Sequence, residues 1–81
     1  MSHLSTIISR VKHGSDDLNS PIFEQAVINL MEYMGENGDY SPDEKREAVE
    51  LYDKYRPLIK GAGMPSHKKR LHEADMIRGR I

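Results

Sequence analysis

The sequence predicts an all-α domain: a small helical bundle of three core helices with a fourth, looser C-terminal helix or tail. Three observations carry that class. Apolar residues recur at helical spacing in three separate stretches. Two Ser-Pro dipeptides, Ser20-Pro21 and Ser41-Pro42, have the form of a helix cap followed by proline at the first helical position. Glycine-bearing segments then separate the stretches, at Gly14, at Gly35 to Gly38, and at Gly61 to Gly63.

The first helix follows from Leu4, Ile7, Ile8 and Val11, which fall at i, i+3, i+4 and i+7. It is expected to end at Lys12-His13-Gly14, where the basic residues sit near the negative end of the dipole and Gly14 suits a left-handed residue. Ser15 to Asn19 reads as a polar connector anchored by Leu18. The second helix, about Pro21 to Met34, places Ile22, Phe23, Ala26, Val27, Leu30, Met31, Tyr33 and Met34 on an arc about 180° wide, with Ile28 just beyond it. Glu24, Gln25, Asn29 and Glu32 are assigned to the polar remainder. So broad an arc needs at least two neighbours, within the chain or across a homodimer, and Ile28 and Met31 are the candidates for a dimer contact.

The turn Gly35 to Tyr40 contains Asn37-Gly38, a dipeptide that accepts positive φ, and its length suits an antiparallel helical hairpin. Ser41-Pro42-Asp43-Glu44 then forms a capping box, with Ser41 accepting from the Glu44 amide and Glu44 reaching back to the Ser41 amide. The third helix buries Ala48, Val49, Leu51, Tyr52 and Tyr55 on one arc, and Arg46–Glu50 and Glu50–Lys54 are expected i, i+4 ion pairs. Pro57 ends or kinks this helix. Leu58 and Ile59 are expected to touch the core. The chain therefore divides into a bundle over 1–60, a Gly/Pro hinge over 61–65, and a basic C-terminal helix or tail over 66–81. Ser66 is a candidate cap, and Leu71, Ala74 and Ile77 form a thin apolar line. Lys68, Lys69 and Arg70 sit at the unfavourable end of the dipole, so this helix is weak in isolation. If the segment folds on a partner protein, its removal should barely move the thermal melt.

Eighty-one residues allow one domain with a small core. With no cysteine there is no disulfide framework and no thiolate chemistry. No apolar run approaches the ~20 residues of a membrane span, and Met1 to Leu4 lacks the features of a signal peptide, so a soluble, cytoplasmic protein is expected. The net charge of −1 conceals a strong asymmetry. Residues 1–53 carry 4 basic and 11 acidic side chains, whereas 54–81 carry 8 basic and 2 acidic. A basic segment on an acidic body points to a polyanionic partner, or to docking of the segment on an acidic face of its own or another copy.

The sequence lacks the signatures of common catalytic sites: no Gly-x-Ser-x-Gly elbow, His-Glu-x-x-His or dinucleotide fingerprint occurs. The acids of the turn do not follow the EF-hand order, and His67 and His72, five apart, lack further zinc ligands, so neither cofactor nor metal is expected. The expected function is a non-enzymatic interaction, regulatory or inhibitory module that binds another macromolecule, a protein first of all, with homodimerisation as one option. Its partner-binding residues are Lys68, Lys69, Arg70, Arg78 and Arg80 in the basic segment, with Ile28 and Met31 on the second helix. The alternative is a nucleic-acid-binding regulator that sets the five basic residues on phosphates, opposed by the acidity of the body.

Overall fold

The structure, a computed structural model, describes residues 3–61 and 64–81. Its elements are α1 (His3–Gly14), α2 (Pro21–Glu36), α3 (Pro42–Tyr55), a 3-10 turn over Arg56–Leu58, and α4 (His67–Arg80). Ala62 and Gly63 of the expected hinge, and Met1 and Ser2, lie outside the described residues.

Local signals account for the first three helices. Leu4, Ile8 and Val11 of α1 are buried. Ser20 caps α2 by accepting from the Ile22 amide at 3.2 Å. In the α3 capping box the Glu44 amide donates to Ser41 Oγ at 3.1 Å and the Ser41 amide donates to Glu44 Oε1 at 2.9 Å. α2 runs to Glu36, two residues past the expected end, and Asn37 closes it in an extended conformation (φ −131°). That turn therefore uses no left-handed residue, and neither does Gly14: Gly61, at φ 72°, is the one positive-φ glycine among the described residues. On α3 the expected Arg46–Glu50 pair is replaced by Arg46 on Asp43, at 3.1 Å and one turn nearer the helix start. Lys12 of α1 pairs with Glu47 of α3.

α2 is the central helix, packed against α1, α3 and α4. Its covered arc is rotated from the one the sequence suggests. Ile22, at the edge of the expected arc, is 82 % exposed, while Glu24, assigned to the polar side, is 2 % exposed. The cause is α4. On the helical wheel Glu24 falls between Met31 and Ile28, and Glu24, Ile28, Met31 and Gly35 form one stripe along α2. α4 touches both ends of that stripe: His67 meets Glu24 at 2.9 Å, and a Cβ placed on Gly35 would come within 2.8 Å of Ile77 Cδ1. α4 therefore runs parallel to α2 and lies over the stripe, with glycine at position 35 admitting the Ile77 side chain.

Two expectations are corrected by this packing. Ile28 and Met31 are not offered to a second copy; both are fully buried within the one chain. Of the looser helix or tail expected over 66–81, the helix forms, but it is not loose, because Leu71 and Ala74 belong to the core with Leu30, Val27 and Tyr52. Of the two residues after Pro57, Ile59 is buried and Leu58 is exposed.

Candidate functional site

The basic C-terminal helix carries most of the residues that the sequence marks for partner binding, and its geometry sorts them into two sets. Ser66 starts α4 in a helical conformation without a side-chain cap bond, so the amides of the first turn gain nothing from it. What holds the helix is its inner face. Stepping 100° per residue, His67, Arg70, Leu71, Ala74, Asp75, Ile77 and Arg78 share one side.

Every charged residue on that side meets a counterpart on the body. Arg70 donates to both oxygens of Glu32, from Nε at 3.0 Å and from Nη2 at 2.6 Å. Its Nη1 also reaches Gln25 Oε1 at 2.6 Å, and its Nη2 reaches Asn29 Oδ1 at 3.3 Å. Arg78 forks onto Asp53 with two bonds of 2.9 Å. Asp75 receives Arg56 Nε at 2.9 Å and Nη2 at 2.8 Å, and Tyr52 donates its hydroxyl to Asp75 Oδ1 at 2.5 Å. Arg56 also donates to the Ile59 carbonyl at 3.1 Å, tying the chain after Pro57 to this cluster. Bidentate guanidinium–carboxylate pairs fix orientation as well as adding energy, so they set the rotation of α4 about its axis.

The electrostatics follow from these partners. The Arg70 and Arg78 guanidiniums are held protonated more firmly than usual, chiefly by their bonds to Glu32 and Asp53. Burial first, and then the bond to Asp75, push the Tyr52 hydroxyl above its ordinary range. The bond from Arg56 holds the Asp75 carboxyl below its usual value, and the bond from Arg78 does the same to Asp53. Both acids are thus depressed in the folded state, so their contribution is complete above the unfolded value of about pH 4 and is lost as pH falls through the folded values. Thermal melts from pH 7 downward should show a constant advantage of the native chain over Asp75→Asn until about pH 4, then convergence. A gap that stays constant into strong acid would detach Asp75 from the acid transition.

The other side of α4 faces water. Lys69, His72, Glu73, Met76 and Arg80 lie within an arc of about 100°, with Lys68 at its border. All six are exposed, Met76 at 58 %. Lys68, Lys69 and Arg80 form no ion pair with a described residue. Of the five basic residues expected to bind a partner, the structure therefore brings Lys68, Lys69 and Arg80 to the outer face and withdraws Arg70 and Arg78 to the body. His72 and Met76 belong to that face and were missed, although the same 100° arithmetic applied to 66–81 separates the two sides.

Among the described residues no group of three or more His, Asp or Glu is placed to hold a metal ion, and no helix is long and apolar enough to cross a membrane. His67, considered for zinc, is buried against Glu24 instead, and His13 is exposed at the end of α1. No family model matches the chain, and no curated protein or solved structure matches it, so the functional reading rests on its own geometry.

Proposed function

We propose that this protein is a non-enzymatic interaction module that binds an acidic surface of another protein through the outer face of α4. The observation that supports this reading is the division of the basic segment. Two arginines lock the helix to the body, and Lys68 and Lys69 near its start, Met76 and then Arg80 near its end are left along one outward stripe. A stripe with lysines at one end, an exposed methionine further along and an arginine one turn beyond it suits a protein surface that offers carboxylates about an apolar spot, since Met adapts its shape and charged residues steer association. A duplex would meet only three uncommitted lysine and arginine side chains here, beside Glu73 and an acidic body.

The two partner classes separate in one experiment. Fluorescence anisotropy with a generic duplex across a salt series should give no binding. Three phosphate contacts would instead give a log–log slope of about −2.7, and that slope would favour the nucleic-acid reading. In parallel, a protein captured from the source cells by the native chain should be lost with the Lys69→Glu/Arg80→Glu variant and kept with Lys45→Glu on α3. Equal capture by all three chains would move the interaction off α4.

A further inference from the structure

Lys69, Glu73, Met76 and Arg80 stand at i, i+4, i+7 and i+11 of α4, and all four are exposed. Stepping 100° per residue, they fall within about 60° of one another and so form a single row along the helix. At a rise of about 1.5 Å per residue the row has its members at about 0, 6, 10.5 and 16.5 Å. In charge it reads positive, negative, apolar, positive.

A row with that repeat is met side chain for side chain by an element of the same repeat. A second helix laid along α4 at a shallow crossing of about 20° presents its own i, i+4, i+7, i+11 row at the same heights. An extended strand offers one face every two residues, so its rows fall at about 6.7, 13 and 20 Å and miss Met76 and Arg80 by about 3 Å each. Glu73 sets the signs. A uniformly acidic element would place a carboxylate against it, so the complementary row reads acidic, basic, apolar, acidic. A second copy of the chain offers no such row on α3. Asp43, Glu47, Glu50 and Lys54 have the same spacing there, but in either direction Lys54 falls against a cation of α4 and a glutamate falls against Glu73.

On the reading of this face as a protein-binding surface, we propose that the element it takes is a helix of another protein laid along α4. The helix carries acids opposite Lys69 and Arg80, a basic residue opposite Glu73 and an apolar residue on Met76.

The probes are synthetic peptides titrated into the full chain at low ionic strength while its NMR signals are followed. The matched probe is a stapled helix, otherwise uncharged, with Glu, Lys, Leu and Glu at i, i+4, i+7 and i+11. One comparator exchanges its Lys with the first Glu, and another is unstapled with prolines at the remaining positions, which prevents a helix. Each is made in both row orders to cover both chain directions. The matched helix should shift Lys69, Glu73, Met76 and Arg80 saturably in one order, with both comparators binding about fivefold more weakly or worse, the scale of a few surface charge pairs. Glu73→Lys should weaken the matched helix by a similar factor and recover binding to a helix with Glu in place of its Lys. Equal binding of matched, exchanged and proline forms would overturn the aligned helix and leave α4 as a general acceptor of acidic surfaces. Failure of every peptide to move a signal on α4 would overturn the aligned helix and the α4 binding face together.

Discussion

Removing residues 65–81 should abolish the cooperative thermal transition of this chain. The segment is basic enough to read as an appendage, and an appendage could be cut without cost. Its inner face says otherwise. Leu71 and Ala74 are buried, and α4 covers the stripe of α2 that holds Ile28 and Met31. Burying a large aliphatic side chain contributes about 1.5–3 kcal/mol, so loss of Leu71 with re-exposure of Ile28 and Met31 costs roughly 4–9 kcal/mol. A domain of this length has about 4–12 kcal/mol in total. Glu24, Glu32 and Asp53 would also lose their partners on α4. Circular dichroism on the truncated chain should show a broad, non-cooperative melt, and its NMR spectrum should collapse in dispersion. A sharp transition within a few degrees of the full chain would return α4 to the status of an appendage.

The second large effect is expected at the buried pair. Glu24 and His67 meet at 2.9 Å with only 3 % of each side chain exposed, although 43 residues separate them. Polar groups so placed are costly unless they satisfy one another. Glu24→Ala should therefore destabilise the chain by about 3 kcal/mol, mostly by leaving the His67 ring buried without its acceptor. The double variant Glu24→Leu/His67→Leu should recover much of that loss, since apolar replacement of both members of a buried pair is often neutral or better. Chemical denaturation of the two single variants and the double variant closes a mutant cycle, for which a coupling of at least 1 kcal/mol is expected. Strictly additive effects would mean that the two side chains stabilise the fold independently.

These two experiments turn on what the sequence could not convey. Helix starts were legible because their determinants are local: Ser41 and Glu44 are three residues apart, and both bonds of their capping box form as read. The apolar stripe of α1 was legible for the same reason. The partner of each charge on α4 was not, because Arg70 finds Glu32 and Arg78 finds Asp53 across separations of 38 and 25 residues. Composition shows that a basic segment follows an acidic body, and it even raises docking of one on the other. It does not say which acid each inward cation meets. Glu24 is the sharpest case. Helical arithmetic sets it between Met31 and Ile28, yet its charge sent it to the polar side, and in the fold it is buried against His67 of α4.

The parallel placement of α4 on α2 also orders the birth of the fold. A parallel helix pair cannot be closed by a tight turn; its second member must come from much further along the chain, here after the whole of α3. During synthesis α1, α2 and α3 emerge first and make only loose contacts through their short connections, because the stripe along α2 still lacks its cover. In that interval Ile28 and Met31 face solvent with Glu24 beside them. Glu24, Glu32 and Asp53 give that uncovered stripe a negative charge, and like charges on neighbouring nascent chains repel one another until the basic helix arrives.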